Sequence, residues 1–331
     1  MDKQTQTKKE KGRFFEKYGW IFALVSGFIA ICFLFGQVVK TKVDGAVVDV
    51  HLWDYFMGLH PFDWSMYITV GLLMLGIIFM SLHLVNPTFD SIASMLFILA
   101  IPLLALSREF YDCNEIEGVK ASFGWGAACS IGFTVSAALL SLSAHFVDRP
   151  ITIREIAEDG ILIAAAIILN FIKIPLGPSG GSINFQMLPL MLIALRHGPA
   201  HGLICGGIIY GLVTCLIDGW GFATYPFDYL IGFGSVMVLG LFNKFILGEN
   251  QKWYNLKGEI FLLIGGILCT FVRFVGSTAS SMIVYGYTFV AAAAYNAIYI
   301  PVSGAIAIAM IMAAYGPLLK VHNLFPVKKS I

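Results

Sequence analysis

The sequence predicts an all-α integral membrane protein with about ten transmembrane helices and both termini in the cytoplasm. Hydrophobic residues make up 58% of the 331 positions and charged residues only 12%, whereas soluble domains carry about 25% charged residues. The apolar residues are gathered in runs, several of which approach the roughly 20 residues that a helix needs to cross a bilayer. Most of the basic residues fall in loops and tails on one side of such an arrangement.

A polar stretch, "FVDRPITIREIAED", divides the apolar runs into four before it and six after it. The first four cover residues 19–39, 66–84, 92–106 and 125–145. The next six cover residues 160–174, 184–195, 202–217, 227–246, 259–277 and 290–319. The sixth run is short, and the tenth is long enough to be tilted or broken at Pro301. The expected domains are therefore a four-helix region at 1–148, whose role is unknown, and a six-helix core at 149–331.

The orientation follows from the loop charges. Basic residues favour the cytoplasmic side of a membrane protein, and acidic residues dominate the opposite loops here. The basic set at the amino terminus also predicts contact with anionic membrane lipid. The cytoplasmic set is Lys3, Lys8, Lys9, Lys11, Arg13, Lys17, Arg149, Arg154, Arg196, Lys244, Lys252, Lys257, Lys320, Lys328 and Lys329. This pattern predicts a multi-pass protein of the cell membrane.

Three unusual loops of the second half then share the outer face. They are "PLGPSGGSINF" at 175–185, "DGWGFATYPFDY" at 218–229 and "SMIVYGYTF" at 281–289. Two of them are rich in glycine, and two are rich in aromatic residues with hydroxyl groups. A pocket built from the outer helix ends would draw on these segments. The stretch "GPSGGS" is either a flexible turn or a loop that gates this pocket.

Asp228 lies between aromatic residues at the start of an apolar run, in "YPFDYLIGFG". A carboxylate is expensive to bury near lipid, so the position favours a functional role. The alternative is a solvated acid at a helix start, where the helix dipole favours it. For Tyr229 and Tyr285 the alternative is the interfacial aromatic belt. For Asn296 it is a hydrogen bond between helices.

Several kinds of chemistry have no motif in the sequence. It contains no GxxxxGK[ST] for ATP, no HExxH, no GxSxG and no nucleic-acid motif. The six cysteines form no CxxC pair and fall mostly in apolar runs, so we expect small hydrophobic residues of the membrane segments and neither disulfides nor metal ligands. His197 and His201 are four residues apart, but Pro199 separates them, no third ligand is near in sequence, and the loop is expected to be solvated. We therefore expect no enzyme, no cofactor, no metal and no nucleic-acid partner.

Five features of the second half occur in a fixed order. "EDGILIAAAIILNF" carries Gly160 and Ala164 four residues apart, and a short helix ends in "LRHG". A glycine-rich helix, "GLICGGIIYGL", contains Tyr210, and the Asp228-Tyr229 pair and the "YNAIYIP" segment follow. Together, over about 151–319, these features resemble the S-component of an energy-coupling factor (ECF) transporter, most nearly the thiamine branch. The first 150 residues lie outside the resemblance.

The resemblance implies capture of a vitamin, thiamine or a related small heteroaromatic compound, at the outer face. It implies three partners, a transmembrane T-component and two cytoplasmic ATPase subunits, which agrees with the missing ATP motif. Gly160 and Ala164 match the family's docking face for the T-component, because small residues let another helix approach closely. Packing within the same bundle is the alternative for this pair. A stand-alone ion-coupled secondary transporter and a non-transport membrane scaffold remain alternatives for the whole chain.

The resemblance also implies a site. Its acid, here Asp228, binds the aminopyrimidine. The expected substrate-binding residues are Asp228, Tyr229, Asn296, Tyr210, Tyr285, Ser277 and Trp220. Several positions depart from the family pattern: Asp228 stands where the family usually has Glu, Ser277 where it has His, Tyr285 where it has Trp, and Ala291 where it has Tyr. Trp220 is a candidate replacement for the missing stacking surface.

Overall fold

The computed structural model describes residues 3–43, 46–57, 64–86, 88–114, 121–148, 151–176, 181–248 and 255–325. The chain divides into two compact units, Met1–Pro150 and Ile151–Ile331. Among the described residues, seven helices are long and apolar enough to cross a membrane. They are Ser65–Leu84, Thr88–Ala105, Trp125–Val147, Pro199–Asp218, Phe222–Leu241, Leu256–Tyr285 and Phe289–Ala313. Two shorter apolar helices, Tyr18–Leu34 and Met187–His197, accompany them. These elements make the chain an all-α integral membrane protein.

The first unit contains four long helices and a small sheet. The helices are α1 (Lys3–Leu34), α3 (Trp64–Ser81), α4 (Thr88–Asn114) and α5 (Trp125–Asp148), with a short α2 (Leu52–Phe56). The strands β1 (Gln37–Val43), β2 (Ala46–His51) and β3 (Ser122–Phe123) pair antiparallel in the order β2-β1-β3. The sheet is absent from the sequence prediction. Alternation of valine with polar residues, which half-buried strands show, is limited to Val48–His51 of β2.

The core of this unit is organised around Phe97, which is fully buried. Its ring lies against two glycines. A Cβ at Gly27 would approach it to 2.9 Å, and a Cβ at Gly76 would approach it to 2.6 Å. Only a residue without a side chain leaves room for this ring between α1 and α3.

The described part of the second unit is mainly helical. Its elements are α6 (Ile153–Phe171), β4 (Lys173–Pro175), β5 (Ser182–Asn184), α7 (Met187–His197), α8 (Pro199–His201), a π-helical segment (Gly202–Tyr210), α9 (Gly211–Asp218), a 3-10 turn (Phe222–Thr224), a second π-helical segment (Tyr225–Ile231), α10 (Gly232–Gly234), α11 (Val236–Leu241), α12 (Asn243–Ile246), α13 (Leu256–Tyr285), α14 (Phe289–Ala313) and α15 (Tyr315–Leu324).

Close backbone contact explains the glycine-rich run of the second unit. A Cβ at Gly206 would lie 2.6 Å from the carbonyl oxygen of Phe233, and one at Gly207 would lie 2.6 Å from that of Leu230. Both distances are too short for any side chain. The glycines therefore let the segment around 202–210 pack directly on the backbone of the segment that carries Asp228.

Of the ten predicted spans, seven are helices long enough to cross a membrane among the described residues, whereas 19–39, 160–174 and 184–195 are not. The boundaries of the last two spans also differ from the prediction. The last apolar run does not break at Pro301, because α14 continues through this proline and ends at Ala313, and α15 follows after Ala314. The ninth predicted span is also too short. Helix α13 extends to Tyr285, where Gly286 ends it in the left-handed conformation with φ of 67°. Residues 281–285 of the third predicted loop are therefore the last turn of a helix.

Candidate functional site

A cavity of about 290 Å³ lies inside the second unit. All three unusual loops of the sequence contribute to it, together with α6, α13 and α14. The lining residues are Asn170, Lys173, Gly181, Ser182, Asn184, Gln186, Asp218, Trp220, Asp228, Tyr229, Phe233, Arg273, Ser277, Ser281, Tyr285, Tyr287, Tyr295 and Tyr299. Most of these side chains are polar or aromatic. The cavity thus suits a ligand that has both hydrogen-bonding groups and flat rings.

Asp228 belongs to the π-helical segment Tyr225–Ile231. Such wider turns are rare and often occur at functional sites. The Asp228 side chain is half-buried and lines the cavity, and its Oδ1 accepts a hydrogen bond of 2.5 Å from Ser277 Oγ. Ser277 is itself buried on α13. A simple solvated acid at a helix start would not be held in this way, so the geometry favours a binding role.

Arg273 also faces the cavity, and the sequence analysis missed it. It precedes Ser277 by one turn of α13 and is only 6% exposed. Its guanidinium carbon lies 4.7 Å from the centre of the Phe233 ring, which is a cation–π contact. The signal was available, because Arg273 is the single charged residue between 260 and 285, and an ionisable group inside a span marks a functional position.

Tyrosines form much of the cavity wall. Tyr229 is buried, and its hydroxyl donates to Asp218 Oδ2 at 3.1 Å, so it lies inside the bundle and not in an interfacial belt. Tyr285 is 43% exposed and faces Tyr287 with a ring separation of 6.3 Å. Tyr299 lines the cavity from α14. Tyr299 and its lining neighbour Tyr295 were not predicted, although both fall in the "YNAIYIP" segment.

Two of the predicted residues lie behind the cavity wall. Tyr210 is fully buried, and its hydroxyl donates to Gln186 Oε1 at 2.5 Å. Asn296 is 1% exposed, and its Nδ2 donates to Ser281 Oγ on the neighbouring helix at 3.1 Å. Each therefore holds a lining residue in place. Of the predicted set, the cavity brings together Asp228, Tyr229, Ser277, Tyr285 and Trp220.

His197, His201 and Asp159 form a buried cluster elsewhere in this unit. Asp159 Oδ1 lies 2.6 Å from His197 Nδ1, and Oδ2 lies 2.6 Å from His201 Nδ1. The structure corrects two expectations, since the histidines are buried and a third ligand-type group is present. Ligands of one tetrahedral metal with bonds of about 2.0–2.2 Å lie roughly 3.4 Å apart. The observed spacing is that of hydrogen bonds, so the carboxylate joins two imidazoles.

The cluster strongly stabilises the ionised form of Asp159, a residue that precedes the apolar part of α6. Burial by itself would raise the pKa of Asp159. Hydrogen bonds from His197 and His201, and the charges of these groups, outweigh burial and lower that pKa from 3.8 to about 2. The neighbouring Glu158 forms an ion pair with Arg196. The cluster thus connects α6 to α7 and α8 through polar contacts.

Gly160 and Ala164 lie on an exposed face of α6. Large apolar side chains on the same helix are also exposed, among them Ile156, Ile161 and Ile168. A Cβ at Gly160 would meet no atom within 4 Å. Packing inside the second unit therefore does not explain this pair of small residues.

Comparison with known proteins identifies the family. A family model described as "Thiamine transporter protein (Thia_YuaJ)" matches residues 156–322, about half of the chain. The chain belongs to this family. All residues that line the cavity fall within the matched thiamine transporter region.

Two curated relatives match shorter stretches. The chain is 34% identical over 94 residues to the thiamine transporter ThiT of Bacillus subtilis (strain 168), a match that covers 27% of this chain and 48% of that protein. It is also 29% identical over 143 residues to an uncharacterised protein of Pyrococcus woesei, which covers 43% of this chain and 88% of that protein. The chain thus spans about half the length of the first relative. No solved structure matches it.

Proposed function

We propose that this cell-membrane protein captures thiamine, or a closely related small heteroaromatic compound, as the substrate-binding subunit of an ECF-type transporter. The observation that carries the proposal is the Asp228 carboxylate, held by Ser277 inside a cavity walled by tyrosines. Membership of the thiamine transporter family supports the ligand class. The same membership favours a transport subunit over an enzyme.

The chemistry of thiamine complements the cavity. Its aminopyrimidine presents an amino group and a protonatable ring, and a carboxylate such as Asp228 accepts charge-assisted hydrogen bonds from such groups. Its thiazolium is a permanent cation, which aromatic faces attract by roughly 0.5–2 kcal/mol per good contact. Tyr285, Tyr295 and Tyr299 line the cavity and are candidates for such contacts. Behind the lining, Tyr210 donates to Gln186, and Asn296 contacts Ser281 and Tyr299.

We propose that a T-component docks on the exposed face of α6 that carries Gly160 and Ala164, and that two ATPase subunits bind on the cytoplasmic side. The exposed Gly160 and Ala164 among exposed isoleucines support it, because small residues allow close helix contact. The sequence carries no ATP-binding motif of its own. Residues 1–148 are proposed to be a separate membrane region whose role is unknown.

Expression in the native host and gentle purification of the intact complex test this proposal. We expect a T-component and two ATPases to co-purify, and replacement of Gly160 and Ala164 by Leu to abolish the association without changing ligand affinity. Vesicles that contain the chain alone should bind labelled thiamine but not accumulate it under a proton or sodium gradient. Gradient-driven accumulation would instead identify a secondary transporter. A stable complex with a protein other than an ATPase, without ligand binding, would identify a scaffold.

A further inference from the structure

Arg273 has hydrogen-bond donors that the protein does not use. Its Nε and Nη1 are buried and have no hydrogen-bond partner among the described residues. A guanidinium carries five N–H donors in a fixed plane, and leaving such a group buried without partners is strongly unfavourable. The side chain lines the cavity. Its unused donors are therefore available to a molecule bound there.

The cavity lining carries two acidic and two basic side chains, Asp218, Asp228, Lys173 and Arg273. Asp218 at the edge lies 3.5 Å from Lys173 Nζ and also accepts from Asn170 Nδ2 at 3.4 Å. Asp228 and the buried Arg273 line the same cavity, and their opposite charges attract each other. Asp228 is thus not an isolated negative charge waiting for a cation. A carboxylate and a guanidinium that line the same cavity suit a neutral group that donates to one and accepts from the other.

We propose that Arg273 is a specificity-determining residue, which donates to a ring nitrogen of a 4-aminopyrimidine while Asp228 accepts from the adjacent amino group. This proposal deepens, and rests on, the proposed function. In a neutral 4-aminopyrimidine the exocyclic amino group is a donor and the neighbouring ring nitrogen is an acceptor. Arg273 as donor and Asp228 as acceptor together match this order of acceptor and donor on the ligand. The cationic part of the ligand then lies against the tyrosines, away from the guanidinium.

A purely structural role for Arg273 makes a different prediction. If the side chain only neutralises Asp228 and packs on Phe233, its loss should weaken the binding of all ligands by the same factor. If it recognises the pyrimidine edge by hydrogen bonding, its loss should reduce the preference for a ligand with one order of donor and acceptor over a ligand with the reverse order. Oxythiamine separates the two cases. It keeps the thiazolium but carries a carbonyl oxygen in place of the amino group and a hydrogen on the neighbouring nitrogen, so donor and acceptor are exchanged.

The experiment measures the dissociation constants of thiamine and oxythiamine for the full-length purified protein and three variants. Wild type should prefer thiamine by on the order of 100-fold or more, because a site built for one hydrogen-bond pattern leaves buried groups unpaired with the other. Arg273→Met should bring the preference within about tenfold, and Arg273→Lys, which keeps the charge but loses the planar fork, should lie between the two. Lys173→Met, the control, should change both affinities by the same factor.

The outcomes separate the two proposals. If wild type binds neither compound, the proposed function fails, and the role of Arg273 fails with it. If wild type binds both equally, or if the Arg273 variants keep the wild-type preference, only the role of Arg273 is overturned. Should Arg273→Met not fold, as judged by its elution and helical content, Arg273→Lys decides alone: an unchanged preference in that variant contradicts the proposal.

Discussion

Ser277 and Asp228 are two positions at which this chain departs from the pattern that the family resemblance implies, and they contact each other. The acid is shorter than the usual glutamate by one methylene, and the serine stands where a histidine is expected. The hydrogen bond of 2.5 Å between them fixes the carboxylate at the cavity wall. The two departures thus form one structural unit, and we expect them to act on affinity together.

Replacement of Asp228 by Asn tests the residue that carries the proposed function. We expect thiamine affinity to fall by roughly 1.5–3 kcal/mol, which is the range for a hydrogen bond to a charged group. The measurement is the dissociation constant of the purified variant by calorimetry. Asp49→Asn is the matched control, because Asp49 is an exposed acid of the first unit. An unchanged constant in Asp228→Asn would remove this residue from the site.

Two variants of Tyr285 distinguish a side chain that stacks on the ligand from one that lies at the membrane interface. If its ring faces the ligand, Tyr285→Phe should keep thiamine affinity within about threefold, since the aromatic face remains. Tyr285→Ala should weaken binding by roughly 0.5–2 kcal/mol, the range of a cation–π contact. Equilibrium binding of both variants checks this. Equal affinities of Tyr285→Ala and wild type would assign this half-exposed residue to the membrane interface.

At the scale of elements, seven of the ten spans predicted from hydropathy are helices long and apolar enough to cross a membrane among the described residues. Hydropathy did not predict the local backbone geometry that sets the direction of individual side chains. The three loops that were expected to form a pocket do line one cavity. The π-helical turn around Asp228 has no sequence signature, so the direction of this side chain could not be predicted. Arg273 could have been found from its charge alone. The partner of His197 could not, because Asp159 lies 38 residues away on another helix.

The Asp159 cluster predicts a pH-dependent stability of the α6 to α8 connection. The folded protein lowers the pKa of Asp159 from 3.8 to about 2, so its contribution is complete above pH 4 and is lost as the pH falls towards 2. The shift corresponds to about 2 kcal/mol. Asp159→Asn should therefore lower the midpoint of thermal unfolding at pH 7, and the difference from wild type should shrink near pH 2.

Unfolding in detergent at pH 7, 4 and 2.5 checks this prediction. Glu158→Gln is the control, and we expect it to lower the unfolding midpoint by less than Asp159→Asn does. The reason is that the Glu158 side chain is 26% exposed, so its ion pair with Arg196 should contribute less to stability. A difference between Asp159→Asn and wild type that stays equal at all three pH values would mean that the ionised carboxylate is not the source of the stability.

At the scale of the whole molecule, composition was sufficient to predict a multi-pass membrane protein, and the order of motifs in the second half was sufficient to predict its family. The first unit is different. Its helices were predicted from hydropathy, but its three-stranded sheet was not, because short strands beside apolar helices contribute little to a hydropathy pattern. The family match begins at residue 156, so the first unit has no counterpart in it.

The central claim is that the intact protein binds thiamine in the cavity of the second unit. Calorimetric titration of the purified protein in detergent with thiamine, and with riboflavin as control, tests it most directly. We predict a nanomolar dissociation constant for thiamine, roughly −12 kcal/mol, one site per chain, and no heat of binding with riboflavin. Folded protein that shows no thiamine binding at micromolar concentrations would contradict the account.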